Sequence, residues 1–308
     1  MRLSAITCVV LNWETADATV ASVGLLVGDG LPAERIVVVD NGSKDDSYER
    51  LQQELPGCVV IRLEENVGYA RAANTGAGAL TGDAYMFVDN DAFLHAPGSV
   101  ATLLRELDDE TIGVVAPRIL NEDLTLQPSV VPLKTPTVAL VQASGLSRLI
   151  PNRSQPEWST HWDHTEERTI QAMAGPVFLV RGRTWRDLGG YDERLAMYAD
   201  ELDLCWRASK VGWQIRFSPT ASWVHIGFHS GRRHWTTPQR QEMIGRSEAQ
   251  MIRRHLSPLQ ARLTLQLMSA GLAARWLYRR SRRQNEAAAA LAGSLRGLNG
   301  HFVPDARP

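Results

Sequence analysis

The first 110 residues alternate between short apolar runs and longer segments with helical patterning, and this alternation strongly constrains the fold. Residues 6–11 form a nearly continuous apolar run rich in β-branched side chains, which is typical of a strand buried on both faces, and residues 35–39 are a second such strand that begins with Arg35. Further strands are predicted at 58–63 and 85–88, and helices at 15–27, 45–55, 68–80 and 99–107. The pattern predicts βαβ units and therefore an α/β fold with a mostly parallel central sheet flanked by helices.

Polar side chains follow three of these predicted strands at their carboxyl ends. Asn12 and Asp40 follow the first two, and Asp89-Asn90-Asp91 follows the strand at 85–88. Ligands of parallel α/β sheets bind at this edge. The carboxylates of Asp89 and Asp91 point to the same side of a strand and offer the hard oxygen ligands that Mg²⁺ or Mn²⁺ prefers. An ordinary turn after the strand is the alternative.

The middle of the chain departs from the alternation. Residues 121–165 contain five prolines and few periodic apolar positions, so they form either a lid over the site or a tether without function. After them, strands are predicted at 171–180 and 213–217, and helices at 184–188 and 197–209.

Charge is distributed unevenly along the chain. Residues 232–283 contain twelve arginines against Glu242 and Glu248, whereas the preceding residues are acidic overall. From Thr236 onward the sequence is helical, and a stripe of leucines with flanking arginines suits an anionic membrane surface. The alternative is a solvated helix packed on the preceding domain. No nucleic-acid-binding motif accompanies the basic segment, and the Ala- and Gly-rich tail from Glu286 is expected to fray.

The cysteine content and the N-terminus favour a cytoplasmic protein. Three cysteines without Cys-x-x-Cys spacing indicate neither a zinc site nor a disulfide framework. The apolar run at residues 5–11 is too short for a signal peptide, and no run approaches the roughly 18 apolar residues of a membrane-spanning helix.

Five motifs in order carry a resemblance to a known family. They are VVLNW at 9–13, VVDNGS at 38–43, NVGYARAAN at 66–74, DND at 89–91 and MYADELDLCWR at 197–207. Over residues 4–235 the chain resembles family 2 glycosyltransferases of the rhamnosyltransferase-like branch, which have the GT-A fold. The resemblance implies an inverting transfer from a nucleotide-diphosphate sugar, assisted by Mg²⁺ or Mn²⁺.

The resemblance also implies a donor site. The residues expected to contact the nucleotide sugar are Asn12, Asp40, Asn66, Gly68, Arg71, Asp89 and Asn90. Asp40 would accept from the base, although a helix cap or turn also explains an Asp there. Arg71 would pair with a phosphate unless it is merely solvated. Asp89 would lie near the ribose.

The same resemblance assigns the metal and the chemistry. Asp91 and His225 would bind the metal, with His229 as the competitor of His225. Glu201 would take the acceptor's proton, and Asp200 is the alternative base because the family's acidic pair stands here in reversed order. The remaining assignments are Gly175 beside the acceptor, Asp203 orienting the acceptor or an arginine, and Arg232 and Arg233 steadying the diphosphate.

These interpretations predict a GT-A catalytic domain at 1–235 and a basic helical extension at 236–308. The predicted donor is dTDP-L-rhamnose, or a UDP-hexose in a rival of the same fold. The predicted acceptor is a lipid-linked or cell-surface glycan, on the inner face of the plasma membrane. A nucleotide-sugar-binding protein without turnover and a nucleotidyltransferase are the alternative classes. The latter should carry a Gly-rich phosphate loop, which residues 11–20 lack.

Overall fold

Nine strands in the described part of the chain join into one mixed sheet. The computed structural model describes residues 1–149, 162–195, 198–227 and 235–300. The strands of this sheet are β1 (Ile6–Asn12), β2 (Ile36–Asp40), β3 (Val59–Arg62), β4 (Ala84–Asp89), β5 (Ala92–Leu94), β6 (Ile112–Leu120), β8 (Arg168–Ile170), β10 (Val177–Arg181) and β11 (Gln214–His225). A separate two-stranded sheet pairs β7 (Val130–Val131) with β9 (Ala172–Met173).

The order of the strands places the polar residues predicted for the site side by side. The order is β3-β2-β1-β4-β10-β6-β11-β5, with β8 beside β11. The first four strands are parallel, as predicted, whereas β10 runs antiparallel to β4 and β6. Asn12 pairs in register with Asp40, and Leu11 with Asp89. Strands β2 and β3 are added on one side of β1 and β4 on its other side, so the strand order reverses between β1 and β4, where a crevice for ligands opens.

Helices cover both faces of the sheet. They are α1 (Ala16–Gly28), α2 (Ser47–Glu54), α3 (Tyr69–Ala79), α4 (Ser99–Glu106), α5 (Pro136–Ser144), α6 (Gly182–Leu188), α7 (Asp200–Lys210), α8 (Thr237–His255), α9 (Pro258–Ser281) and α10 (Asn285–Asn299), with short 3₁₀ turns at Leu3–Ala5, Ala33–Arg35 and Leu146–Leu149. The predicted tight contact of α3 with the sheet is confirmed. A Cβ at Gly76 would lie 2.6 Å from Cγ1 of Val9, so only glycine allows this approach.

Alternate residues of the buried strands form two cores. Val9, Val39 and Phe87 pack on one face of the sheet with α3 and α7. Val10, Val38 and Met86 pack on the other face with α1 and α4. This alternation explains why the strands read as continuous apolar runs, because each of their two faces is covered by helices.

The C-terminal helices pack on the rest of the molecule and on one another. Met251 of α8 is fully buried in the core that contains α7, so α8 shares a core with the residues before 235. The fraying expected from Glu286 was wrong for residues 285–299, which form α10 against α8. A Cβ at Gly297 would lie 2.2 Å from the carbonyl oxygen of Glu242, so the small residues serve close helix packing.

The described segments also differ from the sequence prediction between residues 108 and 145. Strand β6, in the middle of the sheet, was not predicted. Its sequence is as apolar as that of the other strands, but it follows an acidic turn at residues 108–110 and contains Pro117. The Pro-rich segment at 121–165 includes β7 and α5, where Pro136 occupies the first turn of the helix. Residues 150–161 lie outside the described residues.

Candidate functional site

A cavity of about 690 Å³ opens at the carboxyl ends of β1 and β4. It is lined by several of the residues predicted from the sequence, namely Asn12, Asn66, Asp89, Asn90, Asp91, Gly175, Asp200, Glu201 and His225. They come from separate parts of the chain, and the strand order brings them together. The volume matches that of a small-molecule site.

Asp89, Asp91 and His225 form a group that could hold a metal ion. One ligand atom from each residue lies within 4.8 Å of the other two. Asp89 ends β4, Asp91 precedes β5, and His225 ends β11, which pairs with β5 through His225 and Ala92. Two carboxylates and an imidazole are ligands that suit Mn²⁺ or Mg²⁺.

The hydrogen bonds around His225 fix which ring nitrogen faces this group. The Nε2 atom of Gln127 lies 3.0 Å from Oδ1 of Asn121, to which it donates, so Oε1 of Gln127 accepts from Nδ1 of His225 at 2.7 Å. This assignment places the ring proton of a neutral imidazole on Nδ1. Nε2 then carries its lone pair and lies 3.3 Å from Oδ1 of Asp91. Two acceptors facing each other at this distance repel unless a cation or a proton lies between them, so the residues fit a bound metal.

The carboxylates of the cavity raise one another's proton affinity. Burial, and then the charges of Asp91 and Glu201, hold the pKa of Asp89 well above its ordinary value. Burial and the charges of Glu201 and Asp203 do the same to the pKa of Asp200. Burial raises the pKa of Glu201 to about 7. A carboxylate with such a pKa can act as a general base near neutral pH.

The two candidate bases stand at the start of helix α7. Asp200 and Glu201 are its first two residues, where carboxylates interact favourably with the helix dipole. Within the described part of the chain, Oδ1 of Asp200 is buried without a hydrogen-bond partner. Glu201 is more accessible than Asp200, and both line the cavity. The geometry therefore leaves both carboxylates within reach of a ligand.

Charge in the cavity is strongly unbalanced. Five carboxylates line it, from Asp89, Asp91, Asp200, Glu201 and Glu248. Among the lining residues that the structure describes, Lys134 is the sole lysine or arginine. Because a diphosphate is itself an anion, binding one next to these carboxylates requires a further positive charge.

Asp40 lies beneath the cavity and does not line it. Its side chain is fully buried, and Oδ1 accepts from Nδ2 of Asn12 at 2.9 Å and from Oγ of Ser43 at 2.5 Å. Oδ2 accepts from the backbone N–H of Ser43 at 3.3 Å. In this arrangement Asp40 holds Asn12 and the following turn in place, and the predicted contact with a base stays a prediction.

Two of the predicted site residues, Arg71 and Asp203, do not line the cavity, and their expected contacts with a ligand stay predictions. Arg71 is exposed on α3 and pairs with Glu193, with 3.4 Å between Nε and Oε2, because its position on the helix faces away from the sheet. Asp203 is buried, and its carboxylate accepts from Arg207 Nε at 2.6 Å and from His255 Nε2 at 2.7 Å. Asp203 therefore orients an arginine, which was one of its two expected roles, and the other role, at the acceptor, stays a prediction.

The remaining predicted residues shape the rim of the cavity. Asn66 Oδ1 accepts from the backbone N–H of Gly68, which caps α3 with a φ of +85°. Asn90 Nδ2 donates to Thr19 Oγ1 at 3.0 Å, which ties the Asp-Asn-Asp turn to α1. A Cβ at Gly175 would meet nothing of the protein closer than 3.5 Å. His229, Arg232 and Arg233 lie outside the described residues.

Several lining residues were not predicted from the sequence. They are Trp13, Tyr69, Gln127, Lys134, Tyr198, Trp235, Ile244 and Glu248. Trp13 and Trp235 form one wall, with ring centroids 5.6 Å apart. Trp13, Tyr69 and Tyr198 lie within the motifs at 9–13, 66–74 and 197–207, so their place in these motifs could have signalled them. Gln127, Ile244 and Glu248 carry no such signal, because their position depends on how distant segments pack.

Comparison with known proteins agrees with this geometry. The sequence model described as "Glycosyl transferase family 2" matches residues 4–145. The N-acetylglucosaminyl-diphospho-decaprenol L-rhamnosyltransferase of Mycobacterium tuberculosis is 28% identical over 210 residues, which cover 63% of this chain and 67% of that protein. The pre-mycofactocin glycosyltransferase of the same species is 29% identical over 225 residues, or 72% of this chain and 43% of that protein.

Solved structures show the same fold. A mannosyltransferase from Pyrobaculum calidifontis, in complex with GDP-Man and Mn²⁺, superposes with a TM-score of 0.61 over 96% of this chain and 87% of that chain, at 16% identity. The mixed sheet with its site at the β1/β4 switch is the GT-A fold of glycosyltransferases. Residues 4–145 therefore match a family 2 glycosyltransferase domain, and together with the similarity to curated glycosyltransferases this indicates that the protein is a glycosyltransferase.

Proposed function

We propose that the protein transfers a sugar from a nucleotide-diphosphate donor with inversion at the anomeric carbon, and that Glu201 is the base. The observation that carries the proposal is the common cavity, in which Glu201, with a pKa of about 7, stands beside the group formed by Asp89, Asp91 and His225. A base of this pKa is half ionised near neutral pH. The ionised form can accept the proton that the acceptor hydroxyl loses as it attacks.

The proposed reaction is a single displacement. The acceptor oxygen attacks the anomeric carbon as its proton passes to Glu201, and the bond to the diphosphate oxygen breaks with its electron pair leaving on the diphosphate. Asp89, Asp91 and His225 would hold Mg²⁺ or Mn²⁺. A divalent cation there offsets the charge that develops on the leaving diphosphate. Burial and the charges of Glu201 and Asp203 hold the pKa of Asp200 well above its ordinary value, so Asp200 ionises less readily than an exposed aspartate.

The donor that we propose is dTDP-L-rhamnose. The support is the similarity to a rhamnosyltransferase over about two thirds of both chains. The mannosyltransferase of the same fold binds GDP-Man, so the fold alone does not select the nucleotide. A UDP-hexose is therefore the rival donor. Thermal shift with dTDP-rhamnose, UDP-glucose and GDP-mannose, each with and without Mn²⁺, tests donor and metal together. Stabilisation by none of them would refute the donor site, and stabilisation without any effect of Mn²⁺ would refute the metal.

We propose a lipid-linked N-acetylglucosaminyl diphosphate or a growing cell-surface glycan as the acceptor. The support is again the rhamnosyltransferase, whose name specifies a decaprenol-linked acceptor. Transfer of radiolabelled rhamnose to N-acetylglucosaminyl diphosphate with a short alkyl chain tests this. A binding protein without turnover is the alternative, and it predicts donor binding but no transfer to any acceptor.

A contact with the inner face of an anionic membrane would suit such an acceptor. In the described part of the chain, no helix combines the length and the apolar composition required to cross a bilayer. Helix α9 nevertheless presents apolar side chains to solvent, because Leu259, Leu263 and Leu277 are 78%, 45% and 60% exposed. Leu259 and Leu277 lie about five turns apart and therefore on one face of the helix.

The charge of α9 suits a peripheral contact with anionic lipids. The face of α9 opposite the exposed leucines carries Ala261 and Leu265 and packs on α8 and α10. Six arginines and no acidic residue occur between residues 258 and 284, namely Arg262, Arg275, Arg279, Arg280, Arg282 and Arg283. None of the ion pairs among the described residues includes them. We propose that the face of α9 with the exposed leucines lies on the lipid headgroups. Its leucines would insert between the lipids, and the arginines would pair with anionic headgroups.

A further inference from the structure

Helix α8 reaches from the catalytic cavity to the far end of helix α7. Ile244 and Glu248 line the cavity together with Glu201. Met251 is fully buried in the core shared with α7, and His255 is the last residue of α8. The spacings of four, three and four residues place these side chains on one face of α8. The same face therefore forms a wall of the cavity at one end and an anchor at the other.

His255 provides the anchor through a buried hydrogen bond to the catalytic helix. Its Nε2 atom lies 2.7 Å from Oδ1 of Asp203, which is two residues beyond Glu201. The side chains of His255 and Asp203 are 7% and 2% exposed. The imidazole also stacks on Trp206 of α7, with ring centroids 4.6 Å apart and planes within 8°. Two neighbouring turns of α7 thus hold one side chain of α8.

The remaining partners satisfy both nitrogens of the imidazole. The ammonium of Lys210 lies 3.2 Å from Nδ1 of His255 and 3.0 Å from its carbonyl oxygen. Because an ammonium only donates, Nδ1 accepts and the proton on Nε2 is donated to Asp203. The other oxygen of Asp203 accepts from Arg207, whose NH1 group donates to the carbonyl oxygens of Leu188 and Gly190. Every polar atom of the imidazole is therefore satisfied by α7.

We propose that His255 is a positioning residue, which fixes α8 on α7 so that Ile244 and Glu248 stand opposite Glu201 and form the acceptor wall of the cavity. This inference rests on the proposed function in one respect, because it takes Glu201 to be the base. A rotation or slide of α8 would move the wall relative to the base, and small misplacements of this kind have large effects on transfer rates. The donor side, built on β1, β4 and β11, does not depend on α8 for its place in the sheet.

The test combines transfer kinetics with hydrogen exchange in the full-length protein. Three variants are compared with the wild type, namely His255→Ala, His255→Gln and Arg246→Gln. The amide of glutamine can still donate to Asp203. Arg246 is the control because it lies on another face of α8, is exposed and pairs with Glu242 of the same helix. The probes are dTDP with Mn²⁺ for the donor side and alkyl-linked N-acetylglucosaminyl diphosphate for the acceptor side.

We expect His255→Ala to raise the acceptor KM about tenfold or more while the Kd of dTDP stays within twofold. Amide exchange of residues 240–250 should accelerate in the same variant. His255→Gln should bring both quantities back to within about threefold of the wild type, and Arg246→Gln should leave both unchanged. An unchanged acceptor KM and unchanged exchange in His255→Ala would overturn the proposal. A proportional loss of dTDP binding would also overturn it, since that indicates general unfolding.

The two proposals fail in different ways. If the wild type transfers nothing to the acceptor probe, the proposed acceptor is wrong. In that case hydrogen exchange of α8 still decides the role of His255, because it requires no substrate.

Discussion

The Nε2 atom of His225 and the Oδ1 atom of Asp91 lie 3.3 Å apart at the end of the central sheet. Gln127 holds the ring proton of His225 on the far nitrogen, so a lone pair faces the carboxylate. Asp89 completes the group, and its pKa is raised by burial and by the charges of Asp91 and Glu201. A divalent cation held by these residues would remove the repulsion between the imidazole lone pair and the carboxylate.

Replacing Asp91 by alanine should abolish metal-dependent nucleotide binding. The variant loses one of the three proposed ligands, so the affinity for dTDP or UDP in Mn²⁺ should fall to the level measured with EDTA. Isothermal titration calorimetry measures this directly. Asp187→Ala is the matched control, since Asp187 is an exposed carboxylate that pairs only with Arg183 among the described residues. If Asp91→Ala binds nucleotide in Mn²⁺ as tightly as the wild type, Asp91 is not the metal ligand.

Gln127→Met should weaken metal binding although Gln127 is not one of the proposed metal ligands. Methionine keeps the size of the side chain but cannot accept from Nδ1 of His225, so the ring loses its fixed orientation and tautomer. Changes of such supporting groups typically cost 10- to 100-fold in metal affinity. Titration of Mn²⁺ by electron paramagnetic resonance in the presence of dTDP measures the effect. An Mn²⁺ affinity within twofold of the wild type would show that Gln127 does not orient the imidazole.

Glu201→Gln should lower turnover by about 10²- to 10⁴-fold while the donor affinity is retained, because the amide cannot take the acceptor proton. In the wild type, kcat should rise with pH through about 7, where Glu201 becomes ionised. Initial rates between pH 5.5 and 8.5 give the profile. Asp200→Asn serves as the comparison. If Asp200→Asn lowers turnover this strongly and Glu201→Gln does not, the base is Asp200.

Glu201 should also destabilise the fold at alkaline pH. The pKa of Glu201 rises from 4.5 to about 7 on folding, so the native state binds more protons than the unfolded state between these values. Stability from this group is therefore complete below about pH 4.5 and declines as the pH rises to about 7, by an amount on the order of 1–3 kcal/mol.

The Glu201→Gln variant lacks this carboxyl group, so it should not show the decline in stability that Glu201 causes as the pH rises. In urea unfolding with EDTA present, we expect the variant to be more stable than the wild type at pH 8 and close to it at pH 5. A difference between the two proteins that does not change with pH would mean that the carboxyl group titrates alike in the folded and unfolded chains.

The exposed leucines of α9 should bind anionic vesicles. A triple variant, Leu259→Gln, Leu263→Gln and Leu277→Gln, should lose at least tenfold in affinity for vesicles of phosphatidylglycerol and phosphatidylcholine in a sedimentation assay. Leu124→Gln with Val211→Gln is the control, because both are exposed apolar residues elsewhere on the surface. Substitution is preferable to truncation from Leu256, since Leu256 packs against the catalytic core.

Three results would contradict the membrane contact. The first is equal sedimentation of the triple variant and the wild type. The second is equal binding to vesicles of phosphatidylcholine alone, which would exclude a role for the arginines. The third is a wild-type dimer in sedimentation velocity that the triple variant converts to a monomer, because the face would then join two copies of the chain.

The sequence determined the elements that carry the donor side. Residues 6–11 and 85–88 are almost entirely apolar, which favours burial on both faces, and the polar residues after them then fall at one edge of a sheet. Residues that are close together on one strand or helix are also close in space. The proximity of Asp89 to Asp91 and of Asp200 to Glu201 could therefore be predicted from the sequence. Strand β6 was missed although its sequence is as apolar as that of the other strands, because it follows an acidic turn and contains Pro117.

Tertiary structure decided which of these polar groups face the cavity. Asp40, Arg71 and Asp203 belong to motifs as clear as that of Asp91, yet Asp40 and Asp203 are buried in hydrogen bonds and Arg71 points to solvent. Gln127, which orients His225 from 98 positions away, and the wall of α8 were not foreseeable. Such contacts depend on how segments distant in the sequence pack against one another. This packing is determined by the fit of whole surfaces, and it produces no periodic pattern or fixed spacing in the sequence.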